Sequence, residues 1–347
     1  MNGRPDPAVA AGRVAVRRWL AQQAVVPDGA PSPLLLVACS GGADSLALAA
    51  AAAFEAPRAG WRAGAVVIDH GLQSGSAAVA ARAVAQCRDL GLDPVESRRV
   101  AVDRAAGNGV EAAAREARYA GLAEAAADQQ AGAVLLAHTM DDQAETVLLA
   151  LARGSGPRAL AGMAPARDLF HRPFLGLRRA DTEAACQALG LEPWQDPTNR
   201  PGGPLPSRRA EVRATLLPVA IEVLGPGLVP ALARTAEGLR QDQDYLDTQA
   251  AALLAAAQAA APRPRAQTPQ ALDAKTLAQA HPALRHRALH QAAQQWGAAA
   301  GSLTHAHVAA LDALVTAWHG QGPAALPGVA IGRWNEGGQA LIGPQTT

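Results

Sequence analysis

A glycine-rich loop between a buried strand and a helix is the feature of the sequence with the clearest chemistry. Residues 34–39 are apolar, residues 40–45 read Ser-Gly-Gly-Ala-Asp-Ser, and a helical run follows from Leu46. Glycine lets backbone N–H groups approach an anion, serine hydroxyls add donors, and a helix N-terminus attracts negative charge. The candidate phosphate-binding residues are therefore Ser40, Gly41, Gly42, Ala43, Asp44 and Ser45. The alternative is an ordinary glycine-rich turn between a strand and a helix.

Asp44 puts a carboxylate beside this predicted phosphate cradle. Two negative groups in one place repel each other unless a cation bridges them, so Asp44 is predicted to be a direct or indirect partner of Mg²⁺. The loop contains no lysine and lacks the spacing G-x-x-x-x-G-K followed by Ser or Thr. It is therefore not a Walker A loop.

A second cluster of reactive residue types occupies positions 138–146, which read His-Thr-Met-Asp-Asp-Gln-Ala-Glu-Thr. On a helix beginning near Asp141, residues three or four positions apart share a face, so His138, Asp142 and Glu145 are expected to point into one crevice. Such a group can hold Mg²⁺, orient an amine nucleophile or take its proton. The alternative is helix capping by the acidic residues, worth about 0.5–1 kcal/mol each.

The elements that would position these two clusters alternate along the chain. Apolar runs at 34–39, 65–69, 94–102 and 133–138 predict strands, and helical patterns lie near 45–55, 75–90, 110–129 and 141–153. This order predicts an α/β fold with a doubly wound parallel sheet. Ligands of such sheets bind at the carboxyl ends of the strands, where the winding reverses. Both clusters follow strands and would face that crevice.

Beyond residue 155 the alternation weakens. Proline and glycine cluster at 196–206, which predicts a loop, and helices are predicted at 211–223, 228–260, 282–296 and 304–318. A linker is expected at 261–265 and a small β-hairpin at the end of the chain. The expected organisation is a helical extension (1–30), a catalytic domain (31–218), a helical domain (219–320) and a short β-hairpin tail (321–347).

The composition limits the kinds of partner surface. The chain has 347 residues, of which 49% are hydrophobic, and a formal net charge of +1. A nucleic-acid surface must therefore be a local patch rather than a global field. Residues 262–287 supply one candidate patch, with Arg263, Arg265, Lys275, Arg285 and Arg287 opposed by Asp273. A solvated basic face explains the same residues.

Cysteine use and hydropathy predict the compartment. The cysteines Cys39, Cys87 and Cys186 are far apart and form no C-x-x-C pair. This pattern favours a reducing environment. The sequence shows no leader pattern and no apolar run of membrane-spanning length, so a cytoplasmic protein is expected.

The motifs, taken in order, resemble those of a known family. The loop at 40–45 is similar to that of PP-loop (N-type) ATP pyrophosphatases, an adenine nucleotide alpha hydrolase-like fold. Asp-His-Gly-Leu at 69–72, Glu-Ala-Ala-Ala-Arg-Glu-Ala-Arg-Tyr at 111–119, the 138–146 cluster and Arg-Gly-Ser-Gly at 153–156 extend the likeness. Further motifs are Arg-Pro-Phe-Leu at 172–175, Asp-Pro-Thr-Asn at 196–199 and the segment 209–218. Together they resemble tRNA(Ile)-lysidine synthases.

The resemblance implies an N-terminal domain that binds ATP and Mg²⁺ and a helical domain that helps to hold tRNA. Enzymes of this family attach free L-lysine to the wobble cytidine of a CAU-anticodon tRNA(Ile) through an adenylated intermediate, with release of AMP and pyrophosphate. The implied roles are transition-state stabilisation by Arg115, and ammonium binding or proton relay by Asp142 and Glu145. His138 would orient these carboxylates or ATP.

The resemblance also implies tRNA or substrate contacts. The candidates are Arg118, Arg209 and Arg213 beside the cleft, and Arg285 and Arg287 in the helical domain. Surface ion pairing is the alternative for Arg115 and Arg118, and flanking of a helix start is the alternative for Arg209 and Arg213. The chain departs from the family in two places. The family commonly has Arg-Asn where this chain has Arg209-Ala210, and residues 200–206 form an insertion rich in proline and glycine.

Rival functions use the same loop. A PP-loop tRNA thiolase needs paired cysteines, and an amidotransferase-type synthetase needs a glutaminase module; the sequence shows neither. A nucleotide-binding regulator without turnover is disfavoured by His138, Asp142 and Glu145.

Overall fold

The computed structural model describes residues 4–24, 31–71, 75–103, 109–154, 156–196, 207–262 and 271–345. The chain divides into two compact units, Met1–Leu239 and Arg240–Thr347. The boundary lies within a long helix. Each unit has its own hydrophobic core and is described by itself.

The first unit is built on a six-stranded sheet with the order β3-β2-β1-β4-β6-β5. Its strands are β1 (Leu34–Ala38), β2 (Arg62–Asp69), β3 (Val95–Arg99), β4 (Ala133–Leu135), β5 (Ala166–Arg167) and β6 (Phe170–His171). All neighbouring pairs are parallel except β5 with β6. The order reverses at β1, which lies between β2 and β4. The predicted doubly wound parallel sheet is confirmed.

Helices follow the strands and connect them. In chain order they are α1 (Pro7–Leu20), α2 (Ala43–Glu55), α3 (Ser76–Asp89), α4 (Val110–Asp128), α5 (Met140–Ala152), α6 (Pro157–Leu160), α7 (Arg179–Leu189), α8 (Arg208–Glu211), α9 (Leu217–Leu224) and α10 (Leu228–Ala260). A single turn of π-helix, Val212–Leu216, joins α8 to α9. The four helices predicted between residues 45 and 153 are all present, and α7 is an element that the sequence patterns did not indicate.

The sheet is buried on both faces, which explains its apolar central strand. Every residue of β1 is buried. Leu35 and Val37 pack with residues of α1, α2, α3 and α7 on one face. Leu34 and Leu36 pack with residues of α4 on the other. A parallel strand covered by helices on both sides has no polar face, so continuous hydrophobicity rather than alternation is its pattern.

The second unit combines helices with an antiparallel sheet. Its elements after α10 are β7 (Leu272–Asp273), α11 (Ala274–Gln279), α12 (Pro282–Gln295), α13 (His305–Thr316), β8 (Ala324–Leu326), β9 (Val329–Glu336) and β10 (Gln339–Pro344). The strands are ordered β7-β10-β9-β8. The hairpin of β9 and β10 was predicted, whereas β7 and β8 were not. The predicted linker 261–265 lies mostly outside the described residues, as do most of the predicted loop 196–206 and its insertion.

Among the described helices, no single one is long and apolar enough to span a membrane. One bent pair, 208–224 with 228–260, has the length and apolar composition of a span only when taken together, and the two helices meet at an angle of 100°.

Leu36 is fully buried in β1, so its truncation should destabilise the fold. Leu36→Ala should lower the free energy of unfolding of the first unit by about 2–5 kcal/mol, because a fully buried leucine leaves a cavity on truncation. Leu151→Ala is the matched control, since Leu151 is 53% exposed on α5 and should change stability by no more than about 0.5 kcal/mol. Urea unfolding followed by circular dichroism measures both. Equal losses for the two variants would contradict the two-faced burial of β1.

Candidate active site

The loop after β1 is closed by its own serine side chains. The Ser45 hydroxyl donates to the carbonyl oxygen of Gly42 at 2.9 Å, and its Oγ accepts from the backbone N–H of Ser40 at 3.1 Å. Gly41 has a φ of +81°, and a Cβ built on it would lie 3.2 Å from Cβ of Ala83. The chain therefore needs glycine at position 41.

This loop leads directly into the N-terminus of α2. Gly42 is the N-cap, and α2 begins at Ala43. The first N–H groups of a helix lack intrahelical partners and carry partial positive charge, so they favour an anion. The compact turn, the left-handed Gly41 and the helix N-terminus together fit the phosphates of a nucleotide.

Asp44 lies in the first turn of α2 and faces α7. The hydroxyl of Thr182 donates to its carboxylate, and Nε of Arg179 lies 3.6 Å from Oδ2. Burial raises the pKa of Asp44 above its usual value, although Thr182 and Arg179 oppose that effect. Within the described residues, His, Cys, Asp and Glu form no group of three or more suited to a metal ion. One carboxylate beside a phosphate loop still fits Mg²⁺ carried by a nucleotide, since Mg²⁺ takes few protein ligands.

Asp142 caps α5 through one carboxylate oxygen and faces two arginines with the other. Its Oδ2 accepts hydrogen bonds from the backbone N–H of Thr139 at 2.8 Å and from its hydroxyl at 3.0 Å, which completes a capping box at the start of α5. Its Oδ1 accepts from Nη2 of Arg179 and from Nη2 of Arg213, each at 3.0 Å. Capping therefore fixes the carboxylate while one oxygen faces two cations.

Glu145 lies one turn further along α5 and has no solvent exposure. Arg213 contacts both of its carboxylate oxygens, with Nε at 2.7 Å and Nη2 at 3.0 Å. Nη1 of Arg179 donates at 3.3 Å, and Nε of Arg209 lies at 3.6 Å. Arg209 also donates to the hydroxyl of Thr146 at 2.7 Å. This buried carboxylate is thus surrounded by three guanidinium groups.

These contacts join the candidate residues into one network, which we term the acid–arginine cluster. Its members are Asp44, Asp142, Glu145, Arg179, Arg209 and Arg213. Three carboxylates face three guanidinium groups, so the formal charge of the cluster is zero. Burial would raise the pKa of Asp142, but the charges of Arg179 and Arg213 and the N–H of Thr139 hold it below its usual value.

The start of α7 was missed from the sequence, although it supplies part of this cluster. Asp141 accepts from Nη2 of Arg178 at 3.0 Å and from the backbone N–H of Arg179 at 2.8 Å. Asp181 caps the same helix through the N–H of Arg178. An available signal was the acidic residue in the first turn combined with Gly190, which ends the helix in a left-handed conformation.

His138 lies before the start of α5, as the predicted helix start near Asp141 implies, and its ring interacts electrostatically with Asp142. The helix α5 begins at Met140, so His138 belongs to the connection after β4. Its Nδ1 is buried without a hydrogen-bond partner among the described residues. Burial and the charge of Arg118 lower the pKa of His138 to about 3, while Asp142 opposes the shift. The imidazole is therefore neutral at physiological pH.

The two arginines predicted on α4 differ in their surroundings. The exposed guanidinium of Arg115 stacks on the ring of Tyr119, 5.2 Å from the ring centroid. Arg118 is half-buried, and its charge is the main charge that lowers the pKa of His138. Arg118 therefore lies electrostatically close to the site. The side chain of Glu111, considered from the sequence as an ion-pair partner, is outside the described set.

In the second unit, both predicted tRNA-contact arginines are engaged in ion pairs. Arg285 is buried, and its Nε lies 2.5 Å from Oδ1 of Asp312. Nη1 of Arg287 lies 2.9 Å from Oδ1 of Asp247. A phosphate contact by Arg285 would require this buried pair to break, whereas Arg287 is less enclosed. Arg263 and Arg265 lie outside the described residues.

The fold and the phosphate-binding loop define a PP-loop nucleotide-binding protein. Residues 16–220 match the family model of the PP-loop domain, and residues 272–337 match the model of the TilS substrate binding domain. The chain belongs to the tRNA(Ile)-lysidine synthase family.

Relatives of this family are similar over nearly the whole chain. The tRNA(Ile)-lysidine synthase of Thermobifida fusca is 51% identical over 97% of this chain and 98% of its own. That of Streptomyces coelicolor is 48% identical over 97% and 99%. That of Leifsonia xyli subsp. xyli is 52% identical over 88% and 89%.

A solved structure supports the fold. The U34-tRNA thiolase NcsA from Methanococcus maripaludis superposes with a TM-score of 0.54 and covers 67% of this chain and 79% of its own. At 18% sequence identity, this likeness concerns the fold alone. The three cysteines of the present chain are free and buried. They do not favour the thiolase alternative, because sulfur transfer needs an accessible thiol.

Because His138 is buried and neutral, the stability of the fold should depend on pH. Below its ordinary pKa of 6.5 the unfolded chain protonates this histidine, whereas the folded chain does not until about pH 3. The unfolded state then binds more protons, so stability rises with pH across that window, by at most about 1.4 kcal/mol per pH unit. His138→Gln should remove this contribution. Urea unfolding of both proteins between pH 4.5 and about 7.5 measures the difference in slope; parallel curves would contradict a neutral buried imidazole.

Proposed function

We propose that this chain joins free L-lysine to C2 of the wobble cytidine of a CAU-anticodon tRNA(Ile), consuming ATP and releasing AMP and pyrophosphate. The observation that carries the proposal is the pair of buried carboxylates, Asp142 and Glu145, linked through Arg179 to Asp44 beside the phosphate loop. The printed names of the relatives support the same reaction. Because ATP, lysine and tRNA are cytoplasmic, we propose that the protein acts there.

The first chemical step is adenylation of the cytidine carbonyl oxygen. C2 of cytidine is a poor electrophile, so its oxygen must become part of a better leaving group before an amine attacks. The oxygen attacks the α-phosphate of ATP, the bond to the β-phosphate breaks, and pyrophosphate leaves. Residues 40–45 and the N-terminus of α2 would hold the departing pyrophosphate, because their N–H groups favour an anion.

Asp44 would hold the Mg²⁺ that accompanies the nucleotide. The metal would supply neutralisation of phosphate charge. Thr182 and Arg179 orient the carboxylate of Asp44 towards α7 in the chain itself. Arg115 and Arg118 would add positive charge near the phosphoryl group that carries negative charge in the transition state.

The second step is attack by the lysine ε-amine at C2, with AMP as the leaving group. Lysine arrives as an ammonium and must lose a proton before it can attack. Asp142 and Glu145 would bind this ammonium, since both carboxylates bind cationic side chains in the chain, and one of them would accept the proton that the amine loses. The neutral His138 would accept a hydrogen bond from lysine or ATP rather than supply charge.

The tRNA would be held by both units. Residues 272–337, which match the substrate-binding model, would supply one surface, with Arg285 and Arg287 as candidate contacts; Arg285 would first have to leave Asp312. Arg209 and Arg213 would supply phosphate contacts near the reacting base. Because the net charge of the chain is only +1, this binding should depend on local arginines and weaken strongly with salt.

Incorporation of labelled L-lysine tests the reaction directly. With ATP and Mg²⁺, label should enter unmodified CAU-anticodon tRNA(Ile) and not initiator tRNA(Met), which has the same anticodon. Pyrophosphate release with RNA but without lysine incorporation would retain the PP-loop chemistry and overturn lysine as the nucleophile.

Glu145→Gln tests the ammonium site. The amide keeps the shape of the side chain but loses its charge, so KM for lysine should rise about 10- to 150-fold, the loss expected for one hydrogen bond to a charged group. Glu222→Gln on the exposed face of α9 is the control and should leave KM unchanged. Steady-state incorporation at varied lysine concentration measures both. Full turnover with unchanged KM in Glu145→Gln would overturn the role of Glu145.

A further inference from the structure

Asp142 and Glu145, two of the carboxylates of the acid–arginine cluster, have no free place for an additional cation. Glu145 has no exposed surface, and both of its oxygens contact Arg213. Oδ1 of Asp142 already accepts from Arg179 and Arg213, and its Oδ2 is committed to the capping box. A substrate ammonium can therefore reach these carboxylates only by replacing a guanidinium group.

The guanidinium groups are anchored to different extents. Arg179 is the first residue of α7, and the carboxylate of Asp141 binds both its backbone N–H and the side chain of Arg178. The helix α7 also contributes Ala185 and Cys186 to the main core of the first unit. The backbone of Arg179 is therefore fixed in position by Asp141 and by the packing of α7.

Arg213 has weaker support. It lies in the single π-turn Val212–Leu216, which follows the four-residue helix α8. Among the described residues, the buried members of the hydrophobic cluster beside this segment are Ala144, Leu217 and Val229, fewer than in the main core. A π-turn is a local irregularity that is frequent at functional sites. Of the two arginines that contact both Asp142 and Glu145, Arg213 is the one able to move without disturbing the main core.

We propose that the guanidinium of Arg213 and the primary ammonium of the substrate are alternative occupants of the Asp142–Glu145 site, and that RNA phosphate draws Arg213 away. This inference rests on the proposed function. Arginine binds phosphate and carboxylate in the same two-pronged manner, so a phosphate near the cleft competes directly for Arg213 and its neighbour Arg209. The chain itself fills the ammonium site until RNA arrives.

The exchange keeps the buried carboxylates paired throughout. When Arg213 leaves, Arg179 and Arg209 remain, so three carboxylates of the cluster face two guanidinium groups. Uncompensated negative charge in a buried site is unfavourable, so departure of Arg213 and arrival of the ammonium favour each other. Thermodynamic linkage then requires that RNA tighten lysine binding and that lysine tighten RNA binding by the same factor. Lysine would bind productively only where an RNA acceptor is present.

The test is equilibrium binding of labelled L-lysine to the full-length chain without ATP, with and without unmodified CAU-anticodon tRNA(Ile). For the unsubstituted protein, RNA should lower the Kd of lysine about 5- to 150-fold. Arg213→Gln should bind lysine in the absence of RNA with a Kd lowered to a similar extent, and RNA should then have little further effect.

Two control variants separate the exchange from general effects. Arg208→Gln removes the same charge from the same segment, but Arg208 is exposed, so lysine binding without RNA should stay weak. Arg213→Lys keeps an internal cation and should also bind lysine weakly without RNA. Circular dichroism confirms that each variant is folded, and the RNA dependence of the unsubstituted protein requires no variant at all.

Each outcome has a definite meaning. RNA-independent lysine affinity in the unsubstituted protein, or an unchanged lysine Kd in folded Arg213→Gln, would overturn the exchange. If the same protein still incorporates labelled lysine into the RNA, the proposed function stands and only the exchange fails. If the unsubstituted protein neither binds nor incorporates lysine in the presence of RNA, the proposed function and the exchange fail together.

Discussion

The carboxylate of Glu145 is completely buried, and its charge has to be balanced inside the protein. Removing one partner of a buried ion pair typically costs about 3–5 kcal/mol, because the remaining charge is left in a medium that solvates it poorly. Arg179, Arg209 and Arg213 supply this balance from α7, α8 and the π-turn. The buried charge on α5 therefore forms ion pairs with arginines from segments that are distant in sequence. The arrangement of the site depends on this requirement.

The strand order of the sheet determines which loops lie close enough to contribute to the site around Glu145. The strand β1 lies between β2 and β4, so the connections that leave β1 and β4 emerge side by side at the carboxyl edge of the sheet. One connection carries the phosphate loop and Asp44, and the other carries the capping box of α5. Arg179 spans the interval, with its Nε near Asp44 and its terminal nitrogens on Asp142 and Glu145. The phosphate-binding and cation-binding halves are thus joined by one side chain.

The sequence was sufficient for those parts of the site that are local. The loop 40–45 is fixed by neighbouring residues, such as the hydroxyl of Ser45 on Gly42, and its place between β1 and α2 was predicted correctly. The central strands were found because burial on both faces produces continuous apolar runs. The start of α5, predicted near Asp141, lies at Met140, where the side chain of Thr139 caps the helix.

Arg213 was predicted as a candidate substrate contact and Arg179 was not, and the pairing of either arginine with Glu145 depends on contacts between distant residues. Arg179 is 34 positions from Glu145, and Arg213 is 68 positions from it. No periodicity within a segment indicates such a pairing. The helix α7 was missed because its buried residues include threonine, alanine and cysteine rather than a stripe of large apolar side chains. The contribution of α7 to the site is that its first residue, Arg179, helps to balance the buried charge of Glu145.

Capping and a chemical role are alternatives for Asp142 in the sequence, but the structure shows that they are compatible, because different oxygens of the carboxylate serve the cap and face the arginines. Oδ2 is committed to Thr139, which fixes the rotamer and the direction of the group. Oδ1 remains directed at Arg179 and Arg213. A carboxylate whose orientation is fixed in advance loses less conformational entropy when a cation binds it. The local rule that begins α5 therefore also prepares the cation site, and the same residue satisfies the fold and the chemistry without a conflict between them.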